Sequence, residues 1–499
     1  MREAERQSGE IESLKGYKTL ANRLQGKLDA LEDSIDERIT KAAQEAVAKA
    51  VAPLMVENAE LRAKVEKQHN EILRLKTQID KNSSNSSKPP SSNGFVKVPN
   101  NRETSGKKQG GQKGHKGNRL NIPDNLDELV SEGRAEHIII NEVSDGSRYT
   151  SDWEIDIKII PVFTERRRKI GAPQNISYGN GIAALCVYLS VIGLVPYERL
   201  SEFLSEVTFG TVRISKATIA KFNHAVAEKA DLTPIVQDLL NGQVIHTDET
   251  PAKTTERPCT AGGLETSCNT TFNAYIRTYS NKTSTLLTAA PRKTGESVVA
   301  DNILTMFHGI VSQDHEAKFY NFGDEHATCG AHLSRELKGL ENLWLLEWAG
   351  EVREFFREMN NQKNEDVRNG KTACEPVSLR QYEQRYDKLI EKGKSTLASM
   401  NEKTFGYDEQ RKMVARLNSY KDSYLLFIRN YDAPFTNNQA ERDLRHCKTK
   451  QKVSGCYRSW QGIQDYCKIR SLLGTAKKRC ENLMDVLCRT LKPLRPAGQ

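Results

Sequence analysis

Apolar residues recur at alternating spacings of three and four through Val51, Leu54, Asn58, Leu61, Val65, Gln68, Ile72, Leu75 and Ile79. That period lays one seam along an α-helix and predicts about four heptads of coiled coil. Asn58 falls at an a position, where a buried amide costs stability but fixes register and favours two strands, so a homodimer or higher oligomer is expected. Leu24, Leu28, Leu31 and Ile35 repeat in another phase, and Pro53 lies at the junction, which predicts two helical pieces within residues 1–80 rather than one rod. A helix packed within its own chain is the alternative.

The periodicity then stops. Residues 81–120 contain Asn-Ser-Ser-Lys-Pro-Pro-Ser-Ser-Asn-Gly and Gly-Gly-Gln-Lys-Gly-His-Lys-Gly, with no apolar pattern from which a core could form. Cations that include Lys107, Lys108, Lys113 and Lys116 face a single anion, Glu103, so the segment reads as a basic disordered linker, able to follow phosphates by counterion release. An ordinary solvated linker has the same composition. Residues 121–175 mix β-like runs at 137–140 and 155–163 with turns and end in Arg-Arg-Arg-Lys at 166–169, which predicts a small β-containing module.

Helical spacing returns over residues 176–240. Leu200, Phe203, Leu204 and Val207 mark one helix, Phe209-Gly210 a turn, and Ser215 a natural N-cap for a second helix that exposes Lys216, Thr218 and Lys221. This fits a helix-turn-helix-like DNA-binding region, although any αα-hairpin gives the same pattern. Residues 241–345 alternate differently. Strands are predicted at 243–248, 271–279, 284–290 and 309–314, with a helix near 296–306, and together they suggest a mixed sheet with helices. Strand alternation points His246 and Asp248 to one face and Glu249 to the other, and it puts Asp314 with Ile310 and Ser312. If the first and fourth strands are neighbours, Asp248 and Asp314 meet at the sheet's edge.

Composition narrows the function class. A chain of 499 residues exceeds one ordinary core, so several domains are expected. Lys and Arg outnumber Asp and Glu by 74 to 65, and a net charge of +9 with a sequence pI near 8.9 favours a polyanionic partner. The start lacks the plan of a signal peptide, and the longest uncharged apolar run, residues 181–196, is shorter than the roughly 20 residues a bilayer needs. A cytoplasmic protein with no membrane partner is expected. All 10 cysteines lie at or after Cys186 without a regular framework, so disulfides are not expected.

Two adjacent carboxylates repel unless divalent cations neutralise them, and oxygen ligands select Mg²⁺ or Mn²⁺ over zinc. Two such ions about 4 Å apart suit in-line displacement at phosphorus. Glu441 is the candidate for a third ligand. Thr436 followed by Gln439 just after Pro434 reads as a capping box, which places Glu441 in the second turn of a helix among Arg442, Arg445, Lys448, Lys450 and Lys452. Residue physics alone favours a surface glutamate paired with arginine. Cys329 and His332, one helical turn apart, read as packing, because two ligands without partners make a weak zinc site.

Several segments, taken in order, resemble the bacterial transposases of the insertion sequence 66 family. They are the heptads, Asn-Ser-Ser-Lys-Pro-Pro-Ser-Ser-Asn-Gly at 85–94, Gly-Gly-Gln-Lys-Gly-His-Lys-Gly at 110–117, His-Thr-Asp-Glu-Thr-Pro at 246–251, Cys-Gly-Ala-His-Leu-Ser-Arg-Glu-Leu at 329–337 and Asn-Asn-Gln-Ala-Glu-Arg-Asp-Leu-Arg at 437–445. The resemblance implies a multidomain α+β protein with an RNase-H-like mixed-sheet catalytic core. It also implies that Asp248, Asp314 and Glu441 are a catalytic triad holding two Mg²⁺ or Mn²⁺ ions. It further implies a helical insertion at 346–430, then a region at 431–499 carrying Glu441 and basic helices, with donor-DNA contacts from residues 450–459, Arg458 among them, and from 477–479. The implied partners are double-stranded DNA, as element ends and target, and accessory proteins of the same element, in a bacterial nucleoid-associated setting.

Two departures stand out. Family members often carry paired cysteines just after the Gly-Gly-Gln segment, whereas here none precedes Cys186, so zinc in 121–175 is not expected. Glycine commonly follows the second aspartate, whereas here His315 does. The expected function is a DNA transposase that cleaves and joins strands at element ends. A DNA-binding regulator without catalysis and a structure-specific nuclease are the other classes.

Overall fold

The computed structural model describes residues 2–81, 85, 122–140, 153–165, 176–259, 263–267, 270–402 and 404–492. Lys107, Lys108, Lys113, Lys116 and the basic run at 166–169 lie outside the described residues. The chain divides into two compact units, residues 1–81 with 396–411 and residues 82–395 with 412–499.

In the first unit, α1 (Arg2–Asp80) is one continuous helix that passes through Pro53, which corrects the expectation of two pieces. An interior proline costs about 3 kcal/mol by removing one hydrogen bond and crowding the preceding turn. Here it follows Ala42, Ala43, Ala46, Ala48, Ala50 and Ala52, all best-class helix formers, so both sides propagate past it. Leu54, Leu61, Val65, Ile72 and Leu75 on the expected seam are all exposed.

The second unit begins with α2 (Leu126–Ser131). The runs at 137–140 and 155–163 form no β ladder among the described residues, contrary to expectation. Ile138, Ile139, Ile140, Ile157, Val162 and Phe163 are exposed there, and β propensity without a partner strand or a covered face does not make a sheet. Helices α3 (Asn180–Val191), α4 (Tyr197–Val207), α5 (Lys216–Lys229) and α6 (Thr233–Leu240) follow. The turn between α4 and α5 uses left-handed backbone at Phe209 and Gly210, and the Ser215 side chain caps α5 by accepting from the Thr218 N–H at 3.1 Å.

The sheet has five strands in the order β5-β4-β1-β6-β7, made of β1 (Val244–Thr254), β4 (Phe272–Ser280), β5 (Thr285–Ala290), β6 (Ile310–Gln313) and β7 (Glu325–Thr328). A two-stranded hairpin, β2 (Glu256–Pro258) and β3 (Leu264–Thr266), leaves the end of β1. β1 pairs antiparallel with β4 and parallel with β6, β4 with β5 antiparallel, and β6 with β7 parallel. β1 runs past its predicted end through Pro251, which is tolerated because the β6 ladder stops at His246 and leaves that stretch paired on one side.

One face of the sheet, through Ile245, Tyr279 and Leu286, packs on α6 and on α7 (Gly295–Asp301) with the turn after it. The other face, through Ala252, Ala274, Ile276 and Leu287, shares a core with α3, α5, α13 (Asn438–Ser454), α14 (Trp460–Lys478) and α15 (Leu483–Leu491). Four helices, α8 (Gly330–Trp344), α9 (Glu347–Arg368), α10 (Pro376–Ala398) and α11 (Tyr407–Ser419), then α12 (Lys421–Arg429), occupy the chain between β7 and α13. No described helix is long and apolar enough to cross a membrane.

A charge network lies inside the α6–α7 face. Arg277 and Glu249 are cross-strand partners with fully buried side chains, and Arg277 also pairs with Asp301. Asp301 accepts from Tyr279 Oη at 2.7 Å and Thr288 Oγ1 at 3.0 Å, and Lys318 pairs with Glu249. Removing one partner of such a network strands a buried charge. Arg277→Met is expected to lower stability by about 3–5 kcal/mol in urea unfolding, and Arg277→Met with Glu249→Leu to recover part of that loss.

Candidate active site

The parallel register of β1 and β6 brings the two aspartates together. His246 pairs with Ser312, and continuing by two residues sets Asp248 opposite Asp314 where the β6 ladder ends. The Glu249 N–H donates to Asp248 Oδ1 at 2.7 Å. Glu249 itself belongs to the buried network on the opposite face, as alternation requires. Burial, and then the neighbouring Asp314 charge, pushes the Asp248 carboxyl up to about 7. Lys448 on α13 is near enough to oppose that rise.

His315, directly after Asp314, has left-handed backbone with φ of 65°, a conformation that glycine adopts at no steric cost. Its ring is held by Tyr320 Oη at 2.8 Å and lies edge-on to Tyr420 at 4.8 Å. The turn therefore has the geometry that a glycine there would adopt.

α13 is seated by Asn437, whose side chain is fully buried. Asn437 Nδ2 donates to the Thr247 carbonyl at 2.8 Å, and Oδ1 faces His246 Nδ1 at 3.0 Å and Ser312 Oγ at 3.4 Å. Burial pushes His246 down to about 4, so the neutral ring donates its Nδ1–H to that oxygen. The capping box expected from Thr436 and Gln439 is absent. Asn437 occupies the N-cap with its amide turned to the sheet rather than to the helix, and Gln439 bonds the Asn281 carbonyl. Glu441 accordingly lies in the first turn, not the second.

The N-terminus of α8 completes the site. Gly330 donates its N–H to the Phe435 carbonyl at 2.8 Å, and a Cβ there would strike the Phe435 ring. His332 Nδ1 stands 3.2 Å from Asp314 Oδ1, His332 Nε2 stands 3.7 Å from Glu441 Oε1, and Arg335 lies 3.7 Å from the same Glu441 oxygen. Burial opposes a charge on His332, but Asp314 and Cys329 outweigh it and hold the imidazolium up to about 10. β1, β6, α8 and α13 thus set Asp248 beside Asp314 and link Asp314 to Glu441 through the His332 ring. Sequence spacing read His332 as packing and gave Arg335 and Asn437 no role at the site, although all three fall in the motifs at 329–337 and 437–445. Cys329 and His332 also gain in Asp314 the third partner that spacing alone lacked.

A family model described as Transposase IS66 family matches residues 175–465. The chain belongs to the IS66 transposase family. A second model, a family of unknown function (DUF6444), matches residues 39–121. An uncharacterized protein y4jO of Sinorhizobium fredii (strain NBRC 101917 / NGR234) is 37% identical over 73 residues, 15% of this chain and 23% of that protein. The match therefore spans under a quarter of that relative.

The basic residues of this IS66 family member fall into separate groups. Arg442, Arg445, Lys448 and Lys452 are exposed on α13, and Arg458 is exposed in the turn that follows. Lys450 is instead half-buried over the Tyr197 ring at 5.7 Å. Lys216 and Lys221 are exposed on α5, and Lys216 pairs with Glu198 at 3.1 Å.

Two expectations follow. Asn437→Ala orphans the Thr247 carbonyl and His246, costing about 2–4 kcal/mol in urea unfolding, and loosens divalent-ion binding read by calorimetry. Asp248 carries a raised carboxyl, so the folded state holds a proton that the unfolded chain has released between pH 4 and about 7, and stability falls as pH rises through that window. Asp248→Asn removes the penalty. In metal-free protein at pH 8 it is expected to stabilise the fold by about 1–2 kcal/mol.

Proposed function

We propose that this protein is a DDE-type DNA transposase which binds the inverted repeats at element ends and carries out strand cleavage and strand transfer. The observation that carries the proposal is the convergence of Asp248, Asp314 and Glu441 from β1, β6 and α13 in a chain of the IS66 family. The sheet order supports an RNase-H-like core, since three antiparallel strands are followed by two parallel ones, with both aspartates at neighbouring strands.

The residues fit divalent cations. Asp314 Oδ1 is buried without a hydrogen bond, and burial with the Asp314 charge pushes the Asp248 carboxyl up beside it, so His332 and Lys448 leave the two aspartates incompletely neutralised. Asp248, Asp314 and Glu441 would hold Mg²⁺ or Mn²⁺, whose chemistry is to activate an attacking oxygen and stabilise the leaving one at phosphorus. The chain's own part is positional. Neutral His246 fixes Asn437 and through it Glu441, while Arg442, Arg445 and Lys448 grip the phosphodiester backbone on one side. Water attack on a phosphodiester frees a 3′-hydroxyl, which then attacks target DNA.

Lys216 and Lys221 on the α4–α5 hairpin, Lys452 and Arg458 after α13, and Lys107, Lys108, Lys113 and Lys116 in the linker supply further phosphate contacts. The exposed heptad seam of α1 supports assembly into a homodimer or larger complex. Such a protein works in the bacterial cytoplasm on nucleoid DNA, alongside any accessory proteins of its element.

The test uses plasmid carrying element ends with Mg²⁺. The parent is expected to nick at the ends and join them to target, and Asp248→Asn, Asp314→Asn and Glu441→Gln each to lose about 10³-fold in cleavage. Cleavage by Asp248→Asn at the parental rate would sink the assignment. Cleavage without joining would identify a nuclease, and end binding without cleavage a regulator.

A further inference from the structure

The oxygen-ligand site leaves Cys329 and His332 without a task, although both lie beside Asp314. One ligand atom from each of Asp314, Cys329 and His332 lies within 4.8 Å of the others. Asp314 Oδ1 and His332 Nδ1 face each other at 3.2 Å, yet both atoms are shut from solvent and neither makes a well-directed hydrogen bond. Bonds of about 2.0–2.3 Å at tetrahedral angles set ligand atoms about 3.4–3.6 Å apart, so a shift of about 1 Å would close the set on an ion.

The donors are also braced from behind. The Asn437 N–H points at Cys329 Sγ at 3.2 Å, a bond that suits a thiolate. His332 Nε2 stands 3.7 Å from Glu441 Oε1, a gap that the same small shift would close to a hydrogen bond. With Nδ1 turned to a metal, an Nε2–H held by a carboxylate is the support that metal-ligating histidines use to fix ring and tautomer. Sulfur and imidazole favour thiophilic ions over Mg²⁺, and three protein ligands with an open fourth position match a tetrahedral zinc centre.

We propose that Asp314, Cys329 and His332 form a second metal site, selective for Zn²⁺ or a similar thiophilic ion, which shares Asp314 with the oxygen-ligand site and excludes its occupation. On binding, the Cys329 thiol and His332 each release a proton to solvent as their S–metal and N–metal bonds form. Zinc then withdraws Asp314 from the Mg²⁺ set and engages Glu441 through the His332 ring. The exclusion rests on the function proposed above, but the binding does not.

Co²⁺ added to the full-length protein gives the readout, because tetrahedral cobalt bound by a thiolate has a sulfur-to-metal charge-transfer band. The band is expected in the parent, and Zn²⁺ should abolish it by displacement. It should be absent in Cys329→Ser and weakened at least tenfold in cobalt affinity in His332→Gln, with folding of both checked by circular dichroism. Glu441→Gln should weaken it about tenfold, and Asp248→Asn, which disables only the oxygen-ligand site, should retain it. No band in the parent, or a band that survives both Cys329→Ser and His332→Gln, overturns the site. Mg²⁺-supported cleavage that is unaffected by saturating Zn²⁺ overturns the exclusion. A parent inert on DNA with its band intact overturns the transposase proposal alone.

Discussion

One buried amide holds the candidate site together. Asn437 has no exposed surface, and it bonds the backbone of β1, faces His246 and Ser312 on two neighbouring strands, and donates its own N–H to Cys329 at the start of α8. Four elements remote in sequence meet at this residue. A side chain with two donors and one acceptor can satisfy so many partners only in one orientation, so the amide fixes the axis of α13 and, four residues on, the direction of Glu441.

The two faces of β1 divide the labour. Asp248 faces Asp314, where the two carboxylates repel and His332 and Lys448 are the nearby cations. Glu249, the next residue, looks into a network already complete, with Arg277, Asp301 and Lys318 around it. The back of the sheet is saturated with paired charge, while on the front the Asp248 carboxyl is still pushed up despite the cations nearby. A rigid reverse face lets the front tolerate an unfavourable cluster, as functional sites commonly do.

Much of this was legible in the sequence. Alternation separated Asp248 from Glu249, and four of the five strands of the main sheet were located by their β-rich runs. β7 escaped because Glu-His-Ala-Thr carries almost no apolar signal, its place being set by pairing with β6. The β runs at 137–140 and 155–163 had propensity but no partner. Pro53 misled in the other direction, since alanine-rich flanks carry the helix across it. Asn437 read as one polar residue among several on a helix face, because a tertiary hydrogen-bond hub leaves no periodic trace. For the same reason His332 could not be joined to Asp314 and Glu441 from spacing alone. Family resemblance supplied Glu441, and only coordinates supplied its surroundings.

The chain leaves the core at Cys329 and returns at Asn437, 108 positions later, and the two residues are hydrogen-bonded to each other. The Gly330 N–H to Phe435 carbonyl bond closes the same gap. The intervening segment is thus stitched together at its two ends, and α12 within it packs Leu426 against Ile310 and Ala327 of β6 and β7. The cost of closing a loop grows only logarithmically with its length, about 0.6 kcal/mol per doubling. With the ends clipped and α12 seated on the sheet, added length in the α9–α10 connection costs the core little. That connection is where evolution or an engineer could splice in further chain while α12 stayed on the sheet and Glu441 kept its place beside His332 and Asp314.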